Sequence, residues 1–356
     1  MAGKLDAVES RVFTTRDFAL DLGGTLPECH VAYETHGTLN AAGDNAILMT
    51  HGYTSSGHVA GRFAPGKAAR GVAEDALGWW EPLVGPGKAI DTDRYFVVSS
   101  NALGSAHGSS GPNTIDPRTG KPYGPTFPEV TLRDSVRAQK LLLDSLGVKR
   151  LHAVAGPSMG GFQAFQWSVT YPDFMRGVVA TVTAPKMRAG VDAAEATRAR
   201  LATDPNWNDG WYYENGGIGK VLEEIRYETL VQYGQRELLA PTIPDPAARE
   251  AAIRSTAKAW AANYDGHSLV VLRKAIGRFD ITGEYDKIRA KLLYVIAPND
   301  KLFPGSIGPG YAADLRKAGV DITYVELVTD KGHLASHADA EQWAPLLRTF
   351  LERLPK

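Results

Sequence analysis

The stretch Val154–Trp167, VAGPSMGGFQAFQW, places a single serine between glycines where an apolar run gives way to a helical pattern. The residues GPSMG from Gly156 fit G-x-S-x-G, a motif in which the serine occupies a strained turn between a strand and a helix. Because the motif alone is common, its context decides: apolar residues precede it, and others follow at helical spacing from Phe162 onward. We therefore predict that Ser158 stands above a sheet edge as a nucleophile.

Short apolar runs alternate with helical stretches along most of the chain. This alternation predicts an α/β fold in which helices cover both faces of a mostly parallel sheet. The helix before the Ser158 strand has Asp134 three residues after Thr131, a capping-box spacing, and Gly147 where a C-terminal cap belongs. The predicted strands are NAILMTH from Asn45, RYFVVSS from Arg94, LHAVAG from Leu151, GVVATVT from Gly177, KLLYVIA from Lys291 and ITYVEL from Ile322.

The pattern changes between residues 186 and 287, where strand signals fade and amphipathic helical segments rich in tryptophan appear. Strands resume after this segment, which favours an insertion into one sheet over a separate domain. We predict a core formed by residues 1–185 and 288–356, with residues 186–287 as a helical lid.

A serine needs a base, and the base needs an orienting carboxylate. Asp300 follows the strand KLLYVIA, and His333 follows the last strand, so both belong at the sheet edge that carries Ser158. Asp330 and His337 are the alternatives, but Asp330 shares a loop with His333, and His337 lies deeper in the following helix.

Two backbone amides complete the predicted site as an oxyanion hole, which stabilises the charge that develops on an attacked carbonyl. The Met159 amide directly follows the nucleophile. The Tyr53 amide belongs to the loop after the early strand that ends at His51-Gly52.

Composition excludes several other classes. The 356 residues carry a formal net charge of -1 and no basic stripe, so nucleic acid is not an expected partner. The single cysteine, Cys29, excludes an internal disulfide.

No apolar run is long enough for a membrane helix and no signal core opens the chain, so we expect a cytoplasmic protein, with a removed signal peptide as the alternative. GRFAPGKA from Gly61 resembles a P-loop but has Ala68 where Ser or Thr is required. We expect no metal and no cofactor.

Four stretches, two of them described above, carry a family resemblance. They are the run GWWEPLVGPGKAIDTDRYFVVSSNALGSAHGSSGPNTIDPRTGKPYG, the helix VTLRDSVRAQKLLLDSLGV, the turn GPSMGGFQAFQW and the lid segment DPNWNDGWY. Together they make the chain similar to the homoserine O-acetyltransferase group of α/β-hydrolases, from about Phe18 to the C-terminus. The resemblance implies an α/β-hydrolase fold, the triad Ser158, Asp300 and His333, and a lid that mediates homodimers.

The resemblance also implies a substrate-binding arginine at the base of the lid, and its spacing before DPNW assigns that role to Arg198. A helix-surface ion pair with Glu195 is the alternative for this residue. The chain departs from the family where an aspartate normally follows the catalytic histidine, because Leu334 stands there. That aspartate is positioned to meet the ammonium of the acceptor, and leucine cannot replace it.

From Leu334 we expect homoserine to be a poor acceptor and water to take the acyl group from Ser158. The leading sequence-based interpretation is therefore a serine carboxylesterase that acts on small, short-chain esters. The alternative is an O-acyltransferase that moves acetyl from acetyl-CoA to homoserine or another alcohol. A non-catalytic binding protein would be favoured only if a member of the triad were missing.

Overall fold

A computed structural model describes residue 5 and residues 7–355 and has an eight-stranded sheet at its centre. The strands are β1 (Arg11–Ala19), β2 (Thr25–His36), β3 (Ala46–Thr50), β4 (Phe96–Ser100), β5 (Ile115–Asp116), β6 (Lys121–Pro122), β7 (Leu151–Pro157), β8 (Met175–Thr181), β9 (Lys291–Ile296) and β10 (Ile322–Glu326). The helices are α1 (Leu132–Ser145), α2 (Met159–Thr170), α3 (Asp192–Leu201), α4 (Gly219–Tyr233), α5 (Gln235–Leu239), α6 (Pro246–Ala261), α7 (Gly266–Gly277), α8 (Gly308–Lys317), α9 (Ala335–Ala338) and α10 (Ala340–Glu352).

The sheet order is β1-β2-β4-β3-β7-β8-β9-β10, and every pair from β4 to β10 is parallel. All five residues of β3 are buried, and they alternate between two apolar clusters, with Ala46 and Leu48 in one and Ile47 and Met49 in the other. Strands covered on both faces carry such continuous apolar runs. The predicted α/β fold and all six predicted strands are confirmed.

Two strands at one edge were not predicted. β1 pairs antiparallel with β2, and β2 pairs antiparallel with β4. β1 is largely exposed along its length, so it lacks the continuous apolar run that identifies the inner strands.

The cap of α1 forms as its spacing predicts. The Thr131 side chain accepts a hydrogen bond from the Asp134 amide, and the Asp134 carboxylate accepts one from the Thr131 amide. Gly147 follows the helix in a left-handed conformation, with φ 82°. Gly147 therefore ends α1 a few residues before β7 begins.

Helices α3 to α7 lie in the chain between β8 and β9. Some of their side chains, among them Leu201, Leu222 and Leu269, form an apolar cluster that also includes Ala106 from outside this segment. The division into a core and a lid at residues 186–287 stays a prediction. No helix of the described residues is long and apolar enough to cross a membrane. The opening run without a signal core falls partly on residues 1–4 and 6, which lie outside the described residues.

Candidate active site

Ser158 occupies the sharp turn between β7 and α2. Its φ of 57° and ψ of -123° are unusual for a residue with a side chain, and such strain is concentrated at functional sites. The turn passes close to the end of β3, since a Cβ on Gly156 or Gly160 would collide with the Thr50 carbonyl oxygen. Both glycines of the motif are therefore required by the packing that lifts Ser158 above the sheet.

Asp300 and His333 meet across the loops that follow β9 and β10. His333 Nδ1 lies 2.7 Å from Asp300 Oδ2, and both side chains are buried. Asp300 Oδ1 accepts hydrogen bonds from the amides of Leu302, at 2.8 Å, and Phe303, at 3.3 Å. The carboxylate is thus fixed in place, and its contact with Nδ1 leaves Nε2 as the nitrogen available for a proton from a nucleophile.

The loop after β3 is held by a buried histidine, His51, that was predicted only as part of the end of a strand. Burial lowers the pKa of His51 to about 4, so its ring is neutral at pH 7. His51 Nε2 accepts from the Ala102 amide at 2.9 Å, and Nδ1 therefore donates to the Gly52 carbonyl at 2.8 Å.

This bond to the Gly52 carbonyl fixes the peptide plane that also contains the Tyr53 amide. In a trans peptide the N–H points opposite to the carbonyl, so His51 determines the direction of the Tyr53 donor. Met159 is the first residue of α2, where helical geometry leaves the amide without an intrahelical partner. A Cβ on Gly52 would lie 3.9 Å from the Ser158 Cβ, so the loop is close to the turn.

A cavity of about 620 Å³ joins these elements. Its lining includes Tyr53, Ser158, His333 and Leu334, so the structure brings most of the predicted site residues together. No Asp or Glu is among the described residues that line it. A ligand that contacts Leu334 in this cavity therefore meets no acidic side chain among the described lining residues.

Arg226 is the arginine that lines this cavity. It lies on α4, donates to Thr54 Oγ1 at 2.6 Å, and stacks its guanidinium 5.1 Å from the Trp260 ring centroid. Burial lowers the pKa of Arg226, yet arginine stays charged near neutral pH. Its Nε is buried and has no hydrogen-bond partner among the described residues. The cavity thus contains a positive charge that an anionic ligand would neutralise.

The structure does not place Arg198 in this cavity, so the assignment by spacing stays a prediction without support from the cavity lining. Arg198 lies on α3 with about half of its side chain exposed and pairs with Glu195 at 2.9 Å. It borders a separate depression with Trp207 and His267. The surface ion pair weighed as the alternative is what the structure contains.

Sequence reasoning missed Arg226 although a signal for it was present. Leu222, Arg226 and Leu230 recur every four residues along α4, and both leucines are buried. Residues at this spacing share one face of a helix. An arginine on the buried face of a helix is unusual unless it has a partner or a ligand. Arg198 also stands between two buried residues at helical spacing, Ala194 and Leu201, but it has its partner in Glu195.

Neither alternative for the triad makes the contacts that a triad requires. Asp330 is exposed and pairs with the neighbouring Lys331. His337 lines the cavity, but its Nδ1 has no hydrogen-bond partner among the described residues. No cluster of three or more His, Cys, Asp or Glu suited to a metal occurs in the described part of the chain.

Together the parallel sheet, the strained serine turn and the His–Asp pair at its carboxyl edge define the α/β-hydrolase class. The family model described as the alpha/beta hydrolase fold matches residues 45–339. Homoserine O-acetyltransferase from Solidesulfovibrio magneticus is 35% identical over 97% of this chain and 93% of that protein. The chain belongs to the homoserine O-acetyltransferase-like family of α/β-hydrolase enzymes.

Solved structures of both an acetyltransferase and an esterase resemble this chain. A crystal structure of homoserine O-acetyltransferase from Bacillus anthracis is 27% identical with a TM-score of 0.88 and covers 99% of both chains. The crystal structure of an esterase is 32% identical with a TM-score of 0.86, covering 97% of this chain and 100% of that one.

The comparisons contradict the prediction of a serine carboxylesterase as the main activity. Several curated relatives at about 35% identity over nearly the whole chain are homoserine O-acetyltransferases. That prediction was drawn from Leu334 alone, whereas the resemblance extends over almost the entire sequence. The acyltransferase alternative is the better supported of the two.

Proposed function

We propose that the protein is an O-acyltransferase that moves an acetyl group from acetyl-CoA to the hydroxyl of a small carboxylate-bearing alcohol, with homoserine as the reference acceptor. Support comes from the names of its curated relatives. The single structural observation that carries the proposal is Arg226, a cation inside the cavity of Ser158 with no acidic side chain among the described lining residues.

In the first half-reaction Ser158 Oγ attacks the thioester carbonyl while His333 Nε2 accepts the hydroxyl proton. The tetrahedral intermediate places its negative oxygen between the Tyr53 and Met159 amides. The C–S bond then breaks, and the CoA sulfur leaves with the proton from His333. Asp300 keeps the imidazole oriented and stabilises its charged form.

In the second half-reaction the acceptor hydroxyl gives its proton to His333 Nε2 and attacks the acyl-enzyme carbonyl. The bond to Ser158 Oγ breaks, and the serine regains a proton from His333. Arg226 holds the acceptor carboxylate through charge-assisted hydrogen bonds, which are stronger than neutral ones. This contact keeps the acceptor bound beside the acyl-enzyme. Its hydroxyl can then compete for the acyl group with water, which is more abundant but has no such binding contact.

The decisive experiment measures CoA release and both products, O-acetylhomoserine and free acetate, from acetyl-CoA with and without homoserine. We expect the acceptor to accelerate CoA release and most of the acetyl to appear as ester. Acetate as the only product, at a rate that the acceptor does not change, would refute the proposal.

A matched pair of lid variants tests the role of Arg226. Hydrogen bonds to charged groups contribute about 1.5–3 kcal/mol, so Arg226→Met should raise the acceptor KM by about 10- to 100-fold. Arg198→Met is the control, because its ion pair is exposed, and the acceptor KM should stay within about twofold. The reverse ranking would restore the assignment made by spacing.

A further inference from the structure

A buried threonine behind the nucleophile has no role in the reaction as described above. Thr183 follows the end of β8 by two residues and is completely buried. Its hydroxyl donates a hydrogen bond to the Ser158 carbonyl oxygen at 2.8 Å. Thr183 is not among the described residues that line the cavity. It therefore contacts the backbone of the nucleophile from the side away from the substrate.

The Ser158 carbonyl belongs to the same peptide unit as the Met159 amide. In a trans peptide the carbonyl and the N–H point in opposite directions, so a side chain that holds this carbonyl also sets the direction of the Met159 donor. The unusual ψ of -123° at Ser158 determines how this peptide is turned. The Phe162 amide donates to the same carbonyl at 3.1 Å, as part of the first turn of α2. The shorter bond from Thr183 is the one that comes from outside this turn and its helix.

The other predicted oxyanion donor is held in the same way. His51 Nδ1 donates to the Gly52 carbonyl at 2.8 Å, and that peptide unit contains the Tyr53 amide. Each of the two donors therefore has a buried side chain bonded to the carbonyl of its own peptide. Donors that are fixed in advance stabilise developing charge well, because they need not reorient during the reaction.

Two locally unfavourable features accompany the approach of Thr183 to the turn. Val182, which precedes it, has a φ of 43°, and a positive φ is exceptional for a β-branched residue. Gly161 occupies a helical position where alanine is more favourable, but a Cβ there would lie 2.4 Å from Thr183 Cγ2. From the other side, the Tyr294 hydroxyl donates to the Thr183 carbonyl at 2.8 Å. Strain that the surroundings maintain in this way is typical of functional sites.

We propose that Thr183 is a positioning residue for the Met159 oxyanion donor, and that it acts on the rate of acyl transfer and not on substrate binding. The inference rests on the proposed acyl transfer through Ser158. Loss of the hydroxyl keeps the Met159 amide but lets its peptide rotate, so the amide stabilises the tetrahedral oxyanion less well. The effect should be smaller than the roughly 100- to 1000-fold loss of rate that follows removal of a donor.

The test uses the whole protein and p-nitrophenyl acetate, because the burst of p-nitrophenol reports formation of the acyl-enzyme before any acceptor is needed. Titration with a fluorophosphonate gives the concentration of active Ser158, so a misfolded fraction does not enter the rate constant. We expect Thr183→Val to lower the acylation rate constant at saturation by about tenfold. The half-saturating ester concentration should stay within about twofold, because ground-state binding is unchanged. Thr183→Ser keeps the hydroxyl and should restore most of the rate.

Thr50→Val is the matched control. Thr50 is buried at the end of β3, and its hydroxyl donates to the Gly160 carbonyl at 2.8 Å, in a peptide unit that carries neither predicted oxyanion donor. Its acylation rate constant should stay close to that of the wild type. A loss equal to that in Thr183→Val would mean that any buried hydroxyl at this turn has the same effect, and it would overturn the proposal. Thr183→Ala removes the same hydroxyl with a smaller side chain and takes the place of the valine variant if that variant does not fold.

A reversible inhibitor separates positioning of the donor from support of the fold. Ser158 Oγ bonds to the carbonyl carbon of a trifluoromethyl ketone, its proton passes to His333, and the ketone oxygen becomes an oxyanion in the oxyanion hole. The inhibition constant should rise in Thr183→Val by the factor by which acylation falls. Unchanged acylation, or slower acylation without weaker inhibition, would refute the inference alone. A wild-type protein that forms no acyl-enzyme would refute the proposed function and this inference with it.

Discussion

Replacement of Leu334 by aspartate tests directly how the charges of the cavity select the acceptor. Two unit charges 4 Å apart at an effective dielectric constant near 20 attract by about 4 kcal/mol. Desolvation reduces this gain, and hydrogen bonds to charged groups retain about 1.5–3 kcal/mol. Leu334→Asp should therefore raise the preference for homoserine over 4-hydroxybutyrate, which lacks the ammonium, by about 10- to 100-fold. The share of acetyl lost to water should fall in parallel.

The assay is a competition between these two acceptors at equal concentration, with both acetyl esters and free acetate measured by mass spectrometry. Leu334→Asn is the matched control, since it adds polarity of similar shape without charge and should shift the ratio little. A pairing of the new carboxylate with Arg226 would show itself as a raised KM for 4-hydroxybutyrate. An unchanged ratio in Leu334→Asp would refute the argument that residue 334 faces the ammonium.

Three further expectations follow from the site and the fold. A fluorophosphonate probe should label the protein and lose its target in Ser158→Ala; labelling that persists would place the reactive nucleophile elsewhere. Burial lowers the pKa of both His36 and His51 to about 4, so the unfolded chain binds more protons below about pH 6.5. The free energy of unfolding should then fall from pH 6.5 to 4, by about 3 kcal/mol for each histidine, and an equally steep urea-unfolding profile in His36→Gln would contradict this. We also propose a homodimer formed through residues 186–287, which sedimentation should report as twice the chain mass; a monomer at micromolar concentration would refute it.

The inner sheet could be predicted because its strands are buried on both faces. Such strands have continuous apolar sequences, and the strand ends then fix where Ser158, Asp300 and His333 emerge. The outer pair β1 and β2 follows a different rule. β1 and β2 are adjacent in the chain and pair as an antiparallel hairpin, and only β2 also pairs with a distant strand, β4. The exposed residues of β1 give no continuous apolar signal.

The sequence predicted which loop carries the Tyr53 amide, but it did not predict how that amide is oriented. In the sequence, His51 marks only the end of a strand, because its partner Ala102 lies 51 residues away. Only the fold brings that amide to Nε2, and only then does the tautomer of His51 follow. The direction of the Tyr53 amide thus depends on the tertiary structure, because it is set by a contact between residues that are distant in the sequence.

There is a general physical reason why spacing to a motif pointed to Arg198 and not to Arg226. Spacing to a motif locates a residue along the chain, whereas a binding role requires that the residue face the site. Arg198 satisfies the spacing but pairs with Glu195 at the surface. Arg226 instead interrupts the buried stripe of Leu222 and Leu230. A charge on a buried face has a free-energy cost that packing cannot offset, so it needs a counter-charge from the protein or from a ligand. Within residues 186–287, an arginine on a buried face without a counter-charge among the described residues is therefore a better indicator of a substrate contact than sequence distance to a motif.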